Sequence, residues 1–386
     1  MERLIRMSQA NQSEQLKITL NQWDKKTQKD LILAYTDYLV HDKQVAPTEE
    51  TEKKFSSFLK VSDVILDKKV CPHFYDCQGD TVVNTQGLKK ILKIFQMDRT
   101  TEIVEFEGLK KALDAMPNNQ EKTFFVWHKF VYLSKDKKMP TGRHITPIFV
   151  KKGSKKEDSV VIVTDSTGQK GEFTESVLEK IKSTQMASRP IQIYSSRLQR
   201  QKDSYSCPVF SLLDAQAHRE ENFFQHIQHK KTQSEADSNS RFPSEDSSLS
   251  GAEDESKQSS AGSSPRSVDL GKYVFSVESC TAHGGILLPV SLMNAVQSFT
   301  ELEGYLNAAF EEKDKPIKTC AGINTLEEVH NKYAYLVTQD REQKKKSGFV
   351  RKQAYLYYGE LLKSLVQEEP KPKGIFSCFG SQCKDN

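Results

Sequence analysis

The chain has 386 residues, 36% of them hydrophobic and 28% charged, which is enough apolar material for a real core and too much length for one small domain. Its 56 Lys+Arg against 52 Asp+Glu leave a formal charge of +4, too balanced for nucleic-acid binding through bulk electrostatics. No apolar run is long enough to cross a bilayer, and the opening MERLIRMSQANQSEQ lacks the apolar core of a secretory signal.

Residues 1–20 read as a polar lead-in. TQKDLILAYTDYLVHD then sets Leu31, Leu33, Tyr35, Tyr38 and Leu39 at mostly helical spacing. PTEETEKKFSSFLKVSDVILDKK begins with proline and acids, as helix N-termini often do, and predicts a buried stripe of Phe55, Phe58, Leu59, Val61, Val64 and Ile65. Two short helices, TQGLKKILKIFQ and FEGLKKALDAM, follow. The pattern changes at KTFFVWHKFVYL, whose aromatic and β-branched residues predict a strand. RHITPIFVKKG, SVVIVTDSTG and RPIQIYSS read as further strands, with TESVLEKIKS as a helix between the last two. CPVFSLLDAQAHREENFFQHIQ reads as a helix. From 231 to 268 Ser, Asp, Glu and Gly dominate, and such a segment cannot bury enough surface to offset its ordering entropy. KYVFSV predicts one more strand. Three amphipathic helices are then expected over residues 289–313, 325–345 and 350–367, before a short tail.

These shifts divide the chain into a helical N-terminal region (1–118), a mixed α/β core (119–230, extended by 270–280), an insertion without structure (231–268), a mainly helical C-terminal region (269–370) and a tail (371–386). The seven cysteines are odd in number and dispersed, which fits reduced thiols better than a disulfide framework. CPHFYDC and CTAH have irregular spacing for a zinc tetrahedron, so no metal and no cofactor is expected. Cys378 and Cys383 do not form a C-terminal lipidation box, and membrane-surface contact by the tail is the less favoured reading.

One cysteine stands apart. Cys207 opens a predicted helix directly after a predicted strand, with Pro208 in the first turn, where its fixed φ and missing N–H are tolerated. A thiol at a helix N-terminus lies near unpaired N–H groups that favour the thiolate. His144, at the start of one strand, supplies a candidate base, and Asp165, at the end of the next, a group to orient it. Gln201, six residues before Cys207, supplies an amide that, with the Cys207 N–H, points to an oxyanion site. His128, in VWHKF, is expected to be a packed or surface residue rather than the base.

The order His144, Asp165 in a VTDS context, and Gln201-x5-Cys207 resembles the Ulp/SENP-type cysteine proteases of peptidase clan CE, whose frame the YopJ-type bacterial effectors share. QKDSYSCPVF is similar to that family's Gln-x-x-x-Tyr-Asp-Cys-Gly-Ile-Phe pattern at Gln201, Tyr205, Cys207 and Phe210. Ile145 replaces the family's Trp after the histidine, Ser206 its acid before the cysteine, and Pro208 its glycine after it. The resemblance implies an α+β, papain-like catalytic core, a mixed central sheet flanked by helices, with helical N- and C-terminal extensions. It implies a deubiquitinase or isopeptidase with ubiquitin or a ubiquitin-like protein as partner: Cys207 as nucleophile, His144 as base, Asp165 orienting it, Gln201 at the oxyanion. The aspartate is the acid of the Ulp-like proteases, whereas YopJ-like acetyltransferases more often carry glutamate, and this favours proteolysis. The alternatives are acetyl transfer from coenzyme A on the same frame, and a decayed frame that binds a partner. The resemblance to effectors implies delivery into a host cell's cytoplasm, with a cytoplasmic protein as the alternative.

Overall fold

The computed structural model describes residues 1–41, 48–77, 80–131, 141–154, 158–168, 172–184, 191–196, 198–203, 205–228, 274–278, 283–287, 289–308, 316–319, 322–339 and 342–368. The insertion expected at 231–268, the tail, and Cys280 of CTAH lie outside the described residues.

A seven-stranded mixed sheet organises the molecule. Its strands are β3 (Thr101–Glu105), β4 (Gln120–Val131), β5 (Thr141–Lys152), β6 (Ser159–Val163), β7 (Ile191–Ser196), β8 (Val274–Glu278) and β9 (His283–Leu287), hydrogen-bonded in that order. β3 and β4 are parallel, as are β6 and β7, and the other neighbours are antiparallel. A hairpin of β1 (Phe74–Cys77) and β2 (Asp80–Val83) precedes the sheet. The central strands read as unbroken apolar runs because helices cover both faces. Along β4, Phe125 and Trp127 point into one apolar cluster while Phe124 and Val126 point into another. The first cluster contains Val209, Phe210 and Leu212 of α8 (Cys207–Glu220). The second contains Leu109 and Leu113 of α6 (Leu109–Ala115) and Val177 and Ile181 of α7 (Glu172–Lys182).

The first cluster reaches well beyond the sheet. It takes in α1 (Glu2–Gln9), α2 (Ser13–Leu20), α3 (Lys25–His41), α4 (Glu49–Ile65), α5 (Thr85–Ile94) and the last described helix, Phe349–Gln367. Gly359 of that helix lies against α3: a Cβ there would stand 2.7 Å from Thr36 Cγ2, so the close approach requires glycine. The two ends of the chain therefore share one core with the helix that Cys207 opens.

Several expectations are corrected. Residues 1–20 are two helices rather than a polar lead-in, since Leu4, Ile5, Leu16 and Leu20 are buried. Val64, expected in the buried stripe of α4, is 39% exposed. The helix expected over 289–313 is a 3-10 turn at Val290–Leu292 followed by α9 (Phe299–Ala308). The helix expected over 325–345 ends early: α10 (Leu326–Lys332) gives way to an antiparallel hairpin of β12 (Ala334–Gln339) and β13 (Glu342–Ser347), after the small pair β10 (Ile317–Thr319) and β11 (Gly322–Asn324). The aromatic and β-branched residues of AYLVTQ suit a strand, and its backbone pairs with EQKKKS residue by residue, from Ala334 with Ser347 to Gln339 with Glu342. The helix expected last is present as α11 (Phe349–Gln367).

Candidate active site

The register of β5 creates the site. Only Ile148–Lys151 of β5 pair with β6, so the first half of β5 runs past the end of β6. Asp165, two residues beyond β6, occupies the space this leaves and meets His144. His144 Nε2 lies 3.0 Å from Asp165 Oδ2 and 3.1 Å from Oδ1, with both residues buried. The carboxylate also accepts from Thr146 Oγ1 at 2.9 Å, and from Thr167 through its N–H at 2.8 Å and its Oγ1 at 2.7 Å. Phe173 of α7 stacks on the His144 ring at 4.5 Å and 25°. α8 brings Cys207 in from the opposite face of the sheet, with its Sγ 4.0 Å from the carbonyl of Arg143, the residue before His144, and close enough to act on the His144 charge. The fold thus gathers His144, Asp165 and Cys207, which the chain separates by 21 and 42 residues.

Burial opposes charge on His144, but the Asp165 carboxylate and the Cys207 thiol beside it raise its pKa from 6.5 to about 10. Burial likewise opposes charge on Asp165, yet His144 and Thr167 hold its carboxyl well below the usual range. The site therefore favours an imidazolium–carboxylate pair beside the Cys207 sulfur. Because the folded pKa of His144 lies above its unfolded value, its stabilisation is fully present below pH 6.5 and is lost as the pH rises through about 10. Chemical unfolding of the wild type is expected to lose more stability across that window than unfolding of His144→Gln. Parallel curves for the two proteins would rule this out.

A second buried network holds the segments that carry these groups. Arg200 grips Asp214 of α8 with both NH groups, at 2.7 and 2.6 Å, and donates to the carbonyls of Thr164 (2.7 Å) and Leu292 (3.0 Å). Thr164 Oγ1 donates to Asp214 at 2.7 Å. One ion pair therefore joins the residue before Asp165, the loop before Cys207, and the helix behind it. Within the loop, Asp203 accepts the Tyr205 and Ser206 N–H groups at 3.1 and 2.8 Å, and Ser206 Oγ at 2.7 Å. Gln297 donates to Asp203 as well. Tyr205, two residues before Cys207, accepts from Arg351 of α11 at 2.6 Å, and Glu52 of α4 lies 3.5 Å from the same guanidinium.

Gln201, expected to face the oxyanion, is turned into this loop. Its amide nitrogen donates to the Asp203 carbonyl at 2.7 Å and lies 3.3 Å from Oδ1, while its oxygen accepts from Ser166 at 2.6 Å. In the CPHFYDC segment, the Cys71 thiol donates to Asp63 at 2.9 Å. His128, expected to be packed or at the surface, is packed: it is 5% exposed, beside His144. The Arg200–Asp214 pair escaped sequence reading, although an aspartate inside FSLLDA and an arginine directly before Gln201 carried the signal: a charge written into a buried apolar pattern needs a partner.

A mixed α/β fold that sets a thiol, an imidazole and a carboxylate in one buried cluster defines a class of enzymes that pass acyl groups through a cysteine. Residues 49–356 match the family described as YopJ Serine/Threonine acetyltransferase, and the chain belongs to that family. No curated protein sequence matches it. Among solved structures, the chain is similar to AvrA delL154 with IP6 and CoA, at 14% identity over 88% of this chain and 99% of that one, with a TM-score of 0.46. It is also similar to HopZ1a in complex with IP6 (12% identity, 87% and 98% covered, TM-score 0.47) and to HopZ1a with IP6 and CoA (13%, 86% and 99%, 0.49). The family match overturns the deubiquitinase reading, and with it the ubiquitin partner: the shared frame is that of the YopJ acetyltransferases, and no Ulp- or SENP-like protease is indicated. Asp165 in place of glutamate does not separate the two, since either carboxylate can hold an imidazole. Among the described residues no helix is long and apolar enough to cross a membrane.

Proposed function

We propose that the protein is a thiol-dependent acetyltransferase that moves an acetyl group from acetyl-coenzyme A to a serine or threonine hydroxyl, and that Cys207, His144 and Asp165 carry the reaction. The observation that carries this reading is the His144–Asp165 pair at 3.0 Å, with Cys207 Sγ 4.0 Å from the carbonyl of the residue before His144, inside a chain of this family. The Cys207 thiolate attacks the thioester carbonyl, the bond from that carbon to the coenzyme A sulfur breaks, and the departing sulfur takes the His144 proton. The acceptor hydroxyl then attacks the S-acetyl carbonyl. His144 takes the hydroxyl proton, the bond to Cys207 Sγ breaks, and an ester forms on the acceptor while the thiolate returns. Asp165 holds the proton-bearing Nε2, which leaves Nδ1 for the thiol. The Cys207 N–H, at the positive end of α8, supplies a donor for the developing oxyanion. Gln201 acts by holding the Asp203 loop. Delivery into a host cell, as for effectors of the family, is part of this proposal.

Mass spectrometry of the wild type after incubation with acetyl-coenzyme A, without acceptor, is expected to find one acetyl group on the Cys207 peptide. Cys207→Ala is expected to show none and to transfer none to an added acceptor protein. An unmodified Cys207 peptide alongside undiminished transfer by Cys207→Ala would defeat the reading.

A further inference from the structure

His128 on β4 stands directly opposite His144 on β5 in the antiparallel ladder, with the two ring centres 6.0 Å apart. It belongs to a column of rings. Phe106, from the turn Phe106–Gly108, stacks on His128 at 5.0 Å and 29°. Phe173 of α7 lies 5.0 Å from His128 and stacks on His144. His128 Nε2 is buried with no hydrogen-bond partner among the described residues. An aromatic hydrocarbon ring would occupy a slot between two phenylalanines without stranding a polar atom, and an unpaired buried polar atom lowers stability. Such an atom in a folded protein calls for an explanation, and here it lies beside the proton-transfer group.

Charge sets the context. Burial, and then the neighbouring His144, lower the His128 pKa to about 4, so His128 is neutral while His144 is charged. The titratable groups acting on the two rings are Asp165 after β6 and Cys207 on α8, together with the rings themselves. α7 and the 106–108 turn present the uncharged Phe173 and Phe106 to the two rings, and the Lys180 ammonium of α7, paired with Glu107 of the turn at 3.1 Å, lies 4.8 Å from the Phe106 ring. In a site this dry, a neutral dipole acts on a nearby charge far more strongly than it does in water.

We propose that His128 is a positioning residue for the His144–Asp165 pair: its uncharged polar ring, held between Phe106 and Phe173, fixes the plane of the His144 imidazole and supports the charge on it. The consequence for acetyl transfer rests on the function proposed above, but the effect on the thiol–imidazole pair does not. That pair is read from the rate of Cys207 alkylation by iodoacetamide against pH, followed on the Cys207 peptide. Its upper inflection reports loss of the imidazolium. His128→Phe, which keeps a ring and removes the nitrogens, is expected to move that inflection down by about half a unit or more with melting temperature unchanged or higher. It is also expected to lower kcat for acetyl transfer about five-fold at unchanged KM. His128→Gln, which keeps a neutral polar group, is expected to hold the inflection within about 0.2 units of wild type. His128→Leu replaces His128→Phe if the larger ring does not fold. An inflection in His128→Phe equal to wild type, or equal shifts in the Phe and Gln variants, would overturn the proposal and leave His128 a packing residue. Failure of the acetyltransferase reading shows separately, as a wild-type Cys207 that alkylates normally but takes no acetyl group.

Discussion

Asp165→Asn is expected to lower kcat for acetyl transfer by about three orders of magnitude while leaving the fold and the KM for acetyl-coenzyme A close to wild type. The reason is the direction of a single proton. Asp165 Oδ1 accepts from Thr167, and Oδ2 lies between Thr146 and His144 Nε2. In the asparagine variant the Thr167 contacts keep the remaining oxygen, and the new NH2 group faces His144. It donates to Nε2, which forces the ring proton onto Nδ1, the nitrogen that must accept from Cys207. The stabilisation of the imidazolium is lost as well. The side chain keeps its volume in a fully buried site, so no cavity forms. Steady-state kinetics beside a thermal melt give the answer. A kcat within about ten-fold of wild type would show that Asp165 neither orients nor charges His144.

Arg200→Met is expected to destabilise the protein by about 3–5 kcal/mol, because it strands the Asp214 carboxylate where water does not reach. Arg200 is 1% exposed and Asp214 1%. The carbonyls of Thr164 and Leu292 lose their donor in the same step. The double variant Arg200→Met/Asp214→Leu removes both charges and is expected to recover most of the loss, since a buried pair is worth little against apolar residues that fill its space. Urea titrations of the three proteins test this. A single variant as stable as wild type, or a double variant no better than the single one, would contradict it. The pair also ties together the ends of β6, the Cys207 loop and α8, so the single variant is expected to lose transfer activity before it unfolds.

Local pattern carried much of the site. The helix opening at Cys207, the strands holding His144 and leading to Asp165, and the burial of the central strands all follow from neighbouring residues: a proline in a first helical turn, β-branched runs, an Asp-Ser-Thr stop. The same reading did not show that the Gln201 amide bonds the Asp203 carbonyl, in a turn that Gln297, 96 residues further on, also holds. It failed at the choice between hydrolysis and acetyl transfer for a chemical reason. A thiol, an imidazole and a carboxylate attack an acyl carbon identically whether water or a hydroxyl finishes the reaction, so the motif is silent where the two chemistries part. The match that decided the family runs from 49 to 356, far outside the motif.

By itself the sequence determined which residue types carry reactive groups and on which kind of element each one stands, because helix starts and buried strands are written in contiguous residues. Tertiary structure alone decided that β5 outruns β6 and so lets Asp165 reach His144. It alone decided that Arg200 finds Asp214, that His128 stands behind the base, and that α11, which packs on α3, packs on α8 as well. These are contacts between residues tens to hundreds of positions apart. Whether such groups meet depends on register, face and packing, which no local pattern encodes.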